Sequence, residues 1–125
     1  MIGVAHSPFG RLENETVASL VGSVTVGAIK DAGIEPAEVD EVFVSQFNSG
    51  LTPFAFPPSS LPIGAEPALW GGIPMTRVEN ACASGSAAVH QGIRAILSGL
   101  ADTVLVIGVE KMTHAGGARW RAPCS

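Results

Sequence analysis

Apolar positions along the chain change period, and each change marks an element. From Val17 the residues Val17, Leu20, Val21, Val24 and Ala28 recur at i, i+3, i+4, i+7 and i+11, the stripe of an amphipathic helix lying on a sheet. Asn14 can cap its start, and Gly33 stands where a left-handed residue closes a helix. Before it, the short apolar run Ile2 to Ala5 ends in the turn chemistry of Ser7-Pro8-Phe9-Gly10 and predicts a brief first strand. Beyond it, Ile34 to Asp40 is a tight connector containing Pro36. Glu41 to Phe47, centred on Val42-Phe43-Val44, reads as a second, buried strand.

Residues Asn48 to Pro62 carry Pro53, Pro57, Pro58 and Pro62 and predict an irregular loop. A short helix is expected around Ile63 to Trp70, weakened by Pro67. Met75 to Glu79 then reads as a strand, Ala81 to Ser98 as a helix closed by Gly99, and Thr103 to Val109 as an aliphatic strand. The order β-α-β-(α)-β-α-β implies parallel pairing through crossover helices, that is, a layered α/β domain. After Lys111 the pattern stops, and the domain reads as unfinished.

Composition narrows the classes of function. At 125 residues the chain suits one domain or part of one, and only 14% charged residues against 46% hydrophobic ones means that many surfaces face other protein. A net charge of −4 without any basic tract argues against nucleic-acid binding. No apolar run approaches the roughly 18 residues of a membrane span, and the N-terminus lacks the cationic-then-apolar order of a secretory signal, so a cytoplasmic protein is expected. Cys82 and Cys124 lie far apart with no metal-ligand spacing, so neither a metal site nor a disulfide is expected.

The chemistry concentrates in Val78-Glu79-Asn80-Ala81-Cys82-Ala83-Ser84-Gly85-Ser86-Ala87-Ala88. A strand runs directly into a helix, and Cys82 is expected in the first helical turn, where backbone N–H groups lack intrahelical partners and the macrodipole is positive. Such a position favours a thiolate, the attacking species in acyl transfer, and its free N–H groups can donate to an oxyanion. The small neighbours leave room for a substrate or a second backbone. An inert core thiol is the common fate of a buried cysteine; the strand-to-helix junction is what selects the nucleophile reading. The hydrolase elbow needs Gly two residues to either side of the nucleophile, and Asn80 and Ser84 at those positions make that reading weak.

Asn80-Ala-Cys82-Ala-Ser-Gly85, followed by Ala87, Gly92, Ile93 and Ile96, resembles the nucleophile region of the thiolase family. Ser7-Pro8-Phe9-Gly10-Arg11 resembles its N-terminal signature, and Gly108-Val109-Glu110-Lys111-Met112 the strand end after the nucleophile helix. The wording leans toward the acetyl-CoA acetyltransferase branch related to sterol-carrier-protein thiolases. The resemblance implies the layered αβαβα thiolase fold, with residues 1–125 as a partial N-terminal domain holding the nucleophile and the C-terminal domain absent. It implies a ping-pong acyltransferase acting on coenzyme A thioesters through Cys82, with no permanently bound cofactor and with homo-oligomers at full length. The family's activating His and second Cys come from the C-terminal half, so this chain alone is expected to be inactive.

Cys124 lacks the Gly that follows the family's second Cys, and His6, His90 and His114 lie outside its His motifs. His90 is also roughly 12 Å along the helix from Cys82. Arg77, Arg94 and Lys111 remain unassigned as CoA-phosphate contacts, and Trp70, Phe54 and Phe56 read as core packing before pocket lining. Two alternatives stand beside the thiolase reading: a ketosynthase-like condensing enzyme, and a non-catalytic fragment with only a structural or dimer-forming role.

Overall fold

Val42, Phe43 and Val44 are each almost sealed from solvent, and their alternation sets the layers of the molecule. Residues 1–47 and 70–111 are described in the computed structural model of the chain. In order they form helix α1 (Val17–Ala32), a 3₁₀ turn (Pro36–Glu38), strand β1 (Glu41–Ser45), strand β2 (Met75–Val78), helix α2 (Ser84–Leu97) and strand β3 (Val104–Gly108). The strands pair in parallel in the order β2-β1-β3, with Val42 opposite Met75 on one side and Leu105 on the other. Val42 and Val44 meet Leu20, Val21 and Ile29 of α1, together with Trp70, Ile107 and Val109. Phe43 points the other way, into a cluster with Ala88 and Ala95 of α2 and Ala101. One strand thus carries a helix on each face, as expected for a buried parallel strand without polar alternation.

The two helices reach the sheet differently. α1 uses branched side chains, whereas α2 buries Ser84, Ala88, Gly92 and Ala95, a small-residue stripe at helical spacing. A Cβ at Gly92 would stand 3.2 Å from methyl groups of both Val104 and Val106, so close helix-on-sheet contact selects glycine there. The opposite face of α2 leaves Val89, Ile93, Ile96 and Leu97 exposed.

Helix α1 ends as expected, at Gly33 with φ +67, but its start differs. Thr16, not Asn14, is the cap: its hydroxyl accepts from the Ser19 N–H at 3.0 Å while Ser19 Oγ accepts from the Thr16 N–H at 2.9 Å, a reciprocal box that Asn14 is too far upstream to make. The first strand expected over Ile2 to Ala5 is not formed. The Val4 N–H donates to the Asp31 carboxylate at 2.9 Å, and a cleft of about 820 Å³, lined by Val4, Phe9, Ile93 and Val106 among others, separates this segment from β3. Its backbone is therefore tied to α1 rather than to a strand. The proline-rich loop lies outside the described residues, as does the helix expected before Trp70; Trp70 itself is core, 2% exposed.

Candidate functional site

Cys82 lies where β2 gives way to α2, at the carboxyl end of the parallel sheet, the edge at which α/β folds hold their ligands. Its thiol is free and exposed. The helix does not begin at Ala81, however. Ala81 takes φ +44, in the left-handed region that a right-handed helix cannot continue through, and the first helical residue is Ser84. Cys82 therefore sits in a tight turn just before the N-cap residue Ala83, instead of inside the first turn.

That turn is held by four short hydrogen bonds. The Ala83 N–H donates to the Asn80 carbonyl at 2.9 Å, and the Ser84 N–H to the Ala81 carbonyl at 3.1 Å. Ser84 Oγ accepts from the Asn80 N–H at 2.8 Å and donates to the Ala81 carbonyl at 2.7 Å. Asn80 and Ser84 occupy the two flanking positions that glycines take in a hydrolase elbow. Here the approach of strand end to helix start is closed by a hydroxyl, and Ser84 is buried at 4% exposure. The hydroxyl of Ser84, two residues after Cys82, was the signal in the sequence for this clamp, since Asn80 takes part only through its backbone.

The helix start is left without a side-chain cap. Ala83 has no oxygen to offer, and the Ser86 hydroxyl turns back to the Ala83 carbonyl at 2.9 Å. Ala81, Ala83, Gly85 and Ser86 are all exposed, so the surroundings of the thiol are small and open on this chain.

Of the other residues that the sequence singles out, the described ones do different things. His6 bonds through Nδ1 to the Ser7 carbonyl at 2.9 Å and stacks on Phe9, far along the chain from the turn. His90 is exposed on α2, and Cys124 and His114 lie outside the described residues, as do Phe54 and Phe56. Lys111 is buried with its ammonium donating to the Leu12 carbonyl, which makes it a tie between the N-terminal segment and the end of β3. Arg77 and Arg94 are exposed. Among the described residues no group of three or more His, Cys, Asp or Glu is placed to hold a metal ion, and no helix is long and apolar enough to cross a membrane.

Comparison with known proteins agrees with this geometry. Residues 1–123 match the family described as thiolase, N-terminal domain. An acetyl-CoA acetyltransferase of Methanothermobacter thermautotrophicus is 42% identical over 113 residues, covering 90% of this chain and 29% of that protein. The crystal structure of a 3-oxoacyl-[acyl-carrier-protein] synthase III from Aquifex aeolicus superposes with a TM-score of 0.66 at 28% identity, over 81% of this chain and 32% of that one. An acetyl-CoA acetyltransferase from Syntrophomonas wolfei superposes with a TM-score of 0.68 over 94% of this chain and 32% of its own, and at 22% identity shows the fold. The chain thus spans about a third or less of the length of the proteins it resembles. With the parallel sheet, the strand-to-helix cysteine and a match over nearly its whole length, the chain belongs to the thiolase family, as an N-terminal portion.

Proposed function

We propose that Cys82 is the acyl-accepting nucleophile of a thiolase-type acyltransferase acting on coenzyme A thioesters. The observation that carries the reading is the exposed thiol on a strained turn at the carboxyl end of the sheet, within the thiolase N-terminal match. The thiolate sulfur adds to the thioester carbonyl carbon and the carbonyl electron pair moves to oxygen. Collapse of this intermediate breaks the carbon–sulfur bond to coenzyme A, whose sulfur leaves and takes up a proton, and the acyl group remains as a thioester on Cys82. Since the N–H groups of Ala83 and Ser84 are engaged inside the turn, the oxyanion draws on the N–H groups of Cys82, Gly85 and Ser86. Acetyl is the first acyl group to test, because the 42% identical relative is named an acetyl-CoA acetyltransferase.

The second half-reaction returns the acyl group to coenzyme A, or joins it to the α-carbon of acetyl-CoA. It needs a base and a proton carrier that the described residues do not place beside Cys82, and a C-terminal half supplies them in this reading. The chain alone is then without turnover, and the complete enzyme is a cytoplasmic homo-oligomer with no permanently bound cofactor. The ketosynthase superposition keeps a condensing enzyme as the second reading. The test is incubation of the full-length protein with acetyl-CoA as sole substrate, then intact mass and peptide mapping: an acetyl adduct on Cys82 is expected, and an adduct on Cys124 only, or none, rejects the assignment. In the same protein, cleavage of acetoacetyl-CoA by free coenzyme A separates the thiolase from a condensing enzyme that takes only a decarboxylating extender.

A further inference from the structure

We propose that Ser84 is a positioning residue, whose hydroxyl holds Ala81 in its left-handed conformation and thereby fixes where the Cys82 thiol is presented. The proposal rests on the reading of Cys82 as the acyl acceptor. A non-glycine residue at φ +44 is unfavourable, so something around it must over-determine the turn. Ser84 Oγ bonds the peptide groups on either side of the Asn80-Ala81 pair: it accepts from the Asn80 N–H at 2.8 Å and donates to the Ala81 carbonyl at 2.7 Å. Both partners are backbone, and the donor and acceptor capacities of the hydroxyl are both in use. Ser84 is also the first residue of α2 and the first of the buried stripe Ser84, Ala88, Gly92 and Ala95, so the clamp is anchored in the helix–sheet interface. The serine therefore transmits the position of a packed helix to a thiol two residues upstream, across a residue whose own preference opposes that geometry. Ser84 does not touch the acyl group; it acts through Ala81.

Release of the clamp lets Ala81 relax toward right-handed φ and turns the peptide preceding Cys82, which displaces the sulfur from the open end of α2. The cost is borne by Ala81, so it disappears if residue 81 adopts positive φ without strain. That coupling is what a merely structural serine would not show. The experiment measures, by peptide mapping in the full-length protein carrying Cys124→Ser, the rate of Cys82 alkylation by iodoacetamide and, separately, thioester formation from acetyl-CoA. Ser84→Ala is expected to slow alkylation about tenfold, and the same substitution in an Ala81→Gly background no more than about twofold. If Ser84→Ala does not fold, the comparison of Ala81→Gly with Ala81→Gly/Ser84→Ala carries the test alone, and a tenfold loss between those two overturns the clamp. An unchanged rate in folded Ser84→Ala, or equal losses in both backgrounds, overturns it as well. The expected alkylation pattern with no thioester in any variant leaves the clamp standing and rejects the acyl-acceptor reading.

Discussion

The two helices start in opposite ways. α1 is closed by a reciprocal box between Thr16 and Ser19, and Glu15 adds a carboxylate that accepts from the Ser19 hydroxyl. α2 has Ala83 at its N-cap with no side chain over its first N–H groups, and Ser84 is turned backward into the turn that precedes it. The first arrangement satisfies orphan donors and stabilises the fold. The second leaves donors open beside an exposed thiol and places the hydrogen bonds behind it, where they fix position. The start of α2 is thus locally poorer than that of α1 and lies next to a residue held at positive φ, the combination that the proposed role of Cys82 would require.

The largest test of this contrast removes the thiol. Cys82→Ser keeps the turn, since the hydroxyl fits the exposed position, but should lower acyl transfer by at least about three orders of magnitude, because serine is a far poorer nucleophile at neutral pH without a dedicated base. Unchanged circular dichroism with lost thioester formation is expected; retained transfer would move the chemistry elsewhere. The second test turns the start of α2 into one like that of α1. Ala83→Ser supplies a cap for the N–H of Gly85 or Ser86 and should raise stability by about 0.5–1 kcal/mol while slowing acylation of Cys82 about fivefold, as the donors are taken from the oxyanion. A stabilised variant with undiminished acylation would show that these N–H groups are not used. The third removes the good cap: Thr16→Ala should cost about 1 kcal/mol in denaturant unfolding and leave the alkylation rate of Cys82 within about twofold.

Most of the scaffold was legible in the sequence because it follows from periodicity. The aliphatic centre of β1, the α1 stripe with Gly33 behind it, and the β2–α2–β3 order all came from apolar spacing, and the structure moves their ends by only a few residues. The failures have a common cause in hydrogen bonds between groups that composition does not reveal. Ile2 to Ala5 has the residues of a strand, yet Asp31, distant in sequence, takes the N–H of Val4. Asn14 is a good capping type, but Thr16 has Ser19 three residues on and so forms the box. At the candidate site, the strand-to-helix junction that carries Cys82 and its small neighbours was legible in the sequence, and the thiol there is exposed. The start of α2 was not legible, because the positive φ of Ala81 is imposed by Ser84 and is foreign to alanine's own preference.

The smallest effect concerns a third capped backbone end, at the start of β3. There the Asp40 carboxylate accepts from the N–H of Asp102 at 2.8 Å and of Thr103 at 2.9 Å, while the Asp40 N–H donates to the Thr103 carbonyl at 2.9 Å. The bond from the Thr103 N–H, then that from Asp102, holds the carboxyl below its ordinary value, and burial opposes this only weakly. Because the folded value is depressed, the ionised carboxylate contributes stability that is fully present above the ordinary value of 3.8 and is lost as pH falls through the lower folded value. Asp40→Asn keeps an acceptor but cannot titrate, so the difference in stability between parent and variant should be constant near neutrality and shrink in acid below pH 3.8. Every other carboxylate is common to both proteins and cancels in the comparison. Denaturant unfolding of the pair from neutral to acid pH measures it. A difference that stays constant throughout would mean that the two N–H groups are bonded equally well by a neutral oxygen, and that this end of β3, like the start of α1, is held by geometry with no contribution from charge.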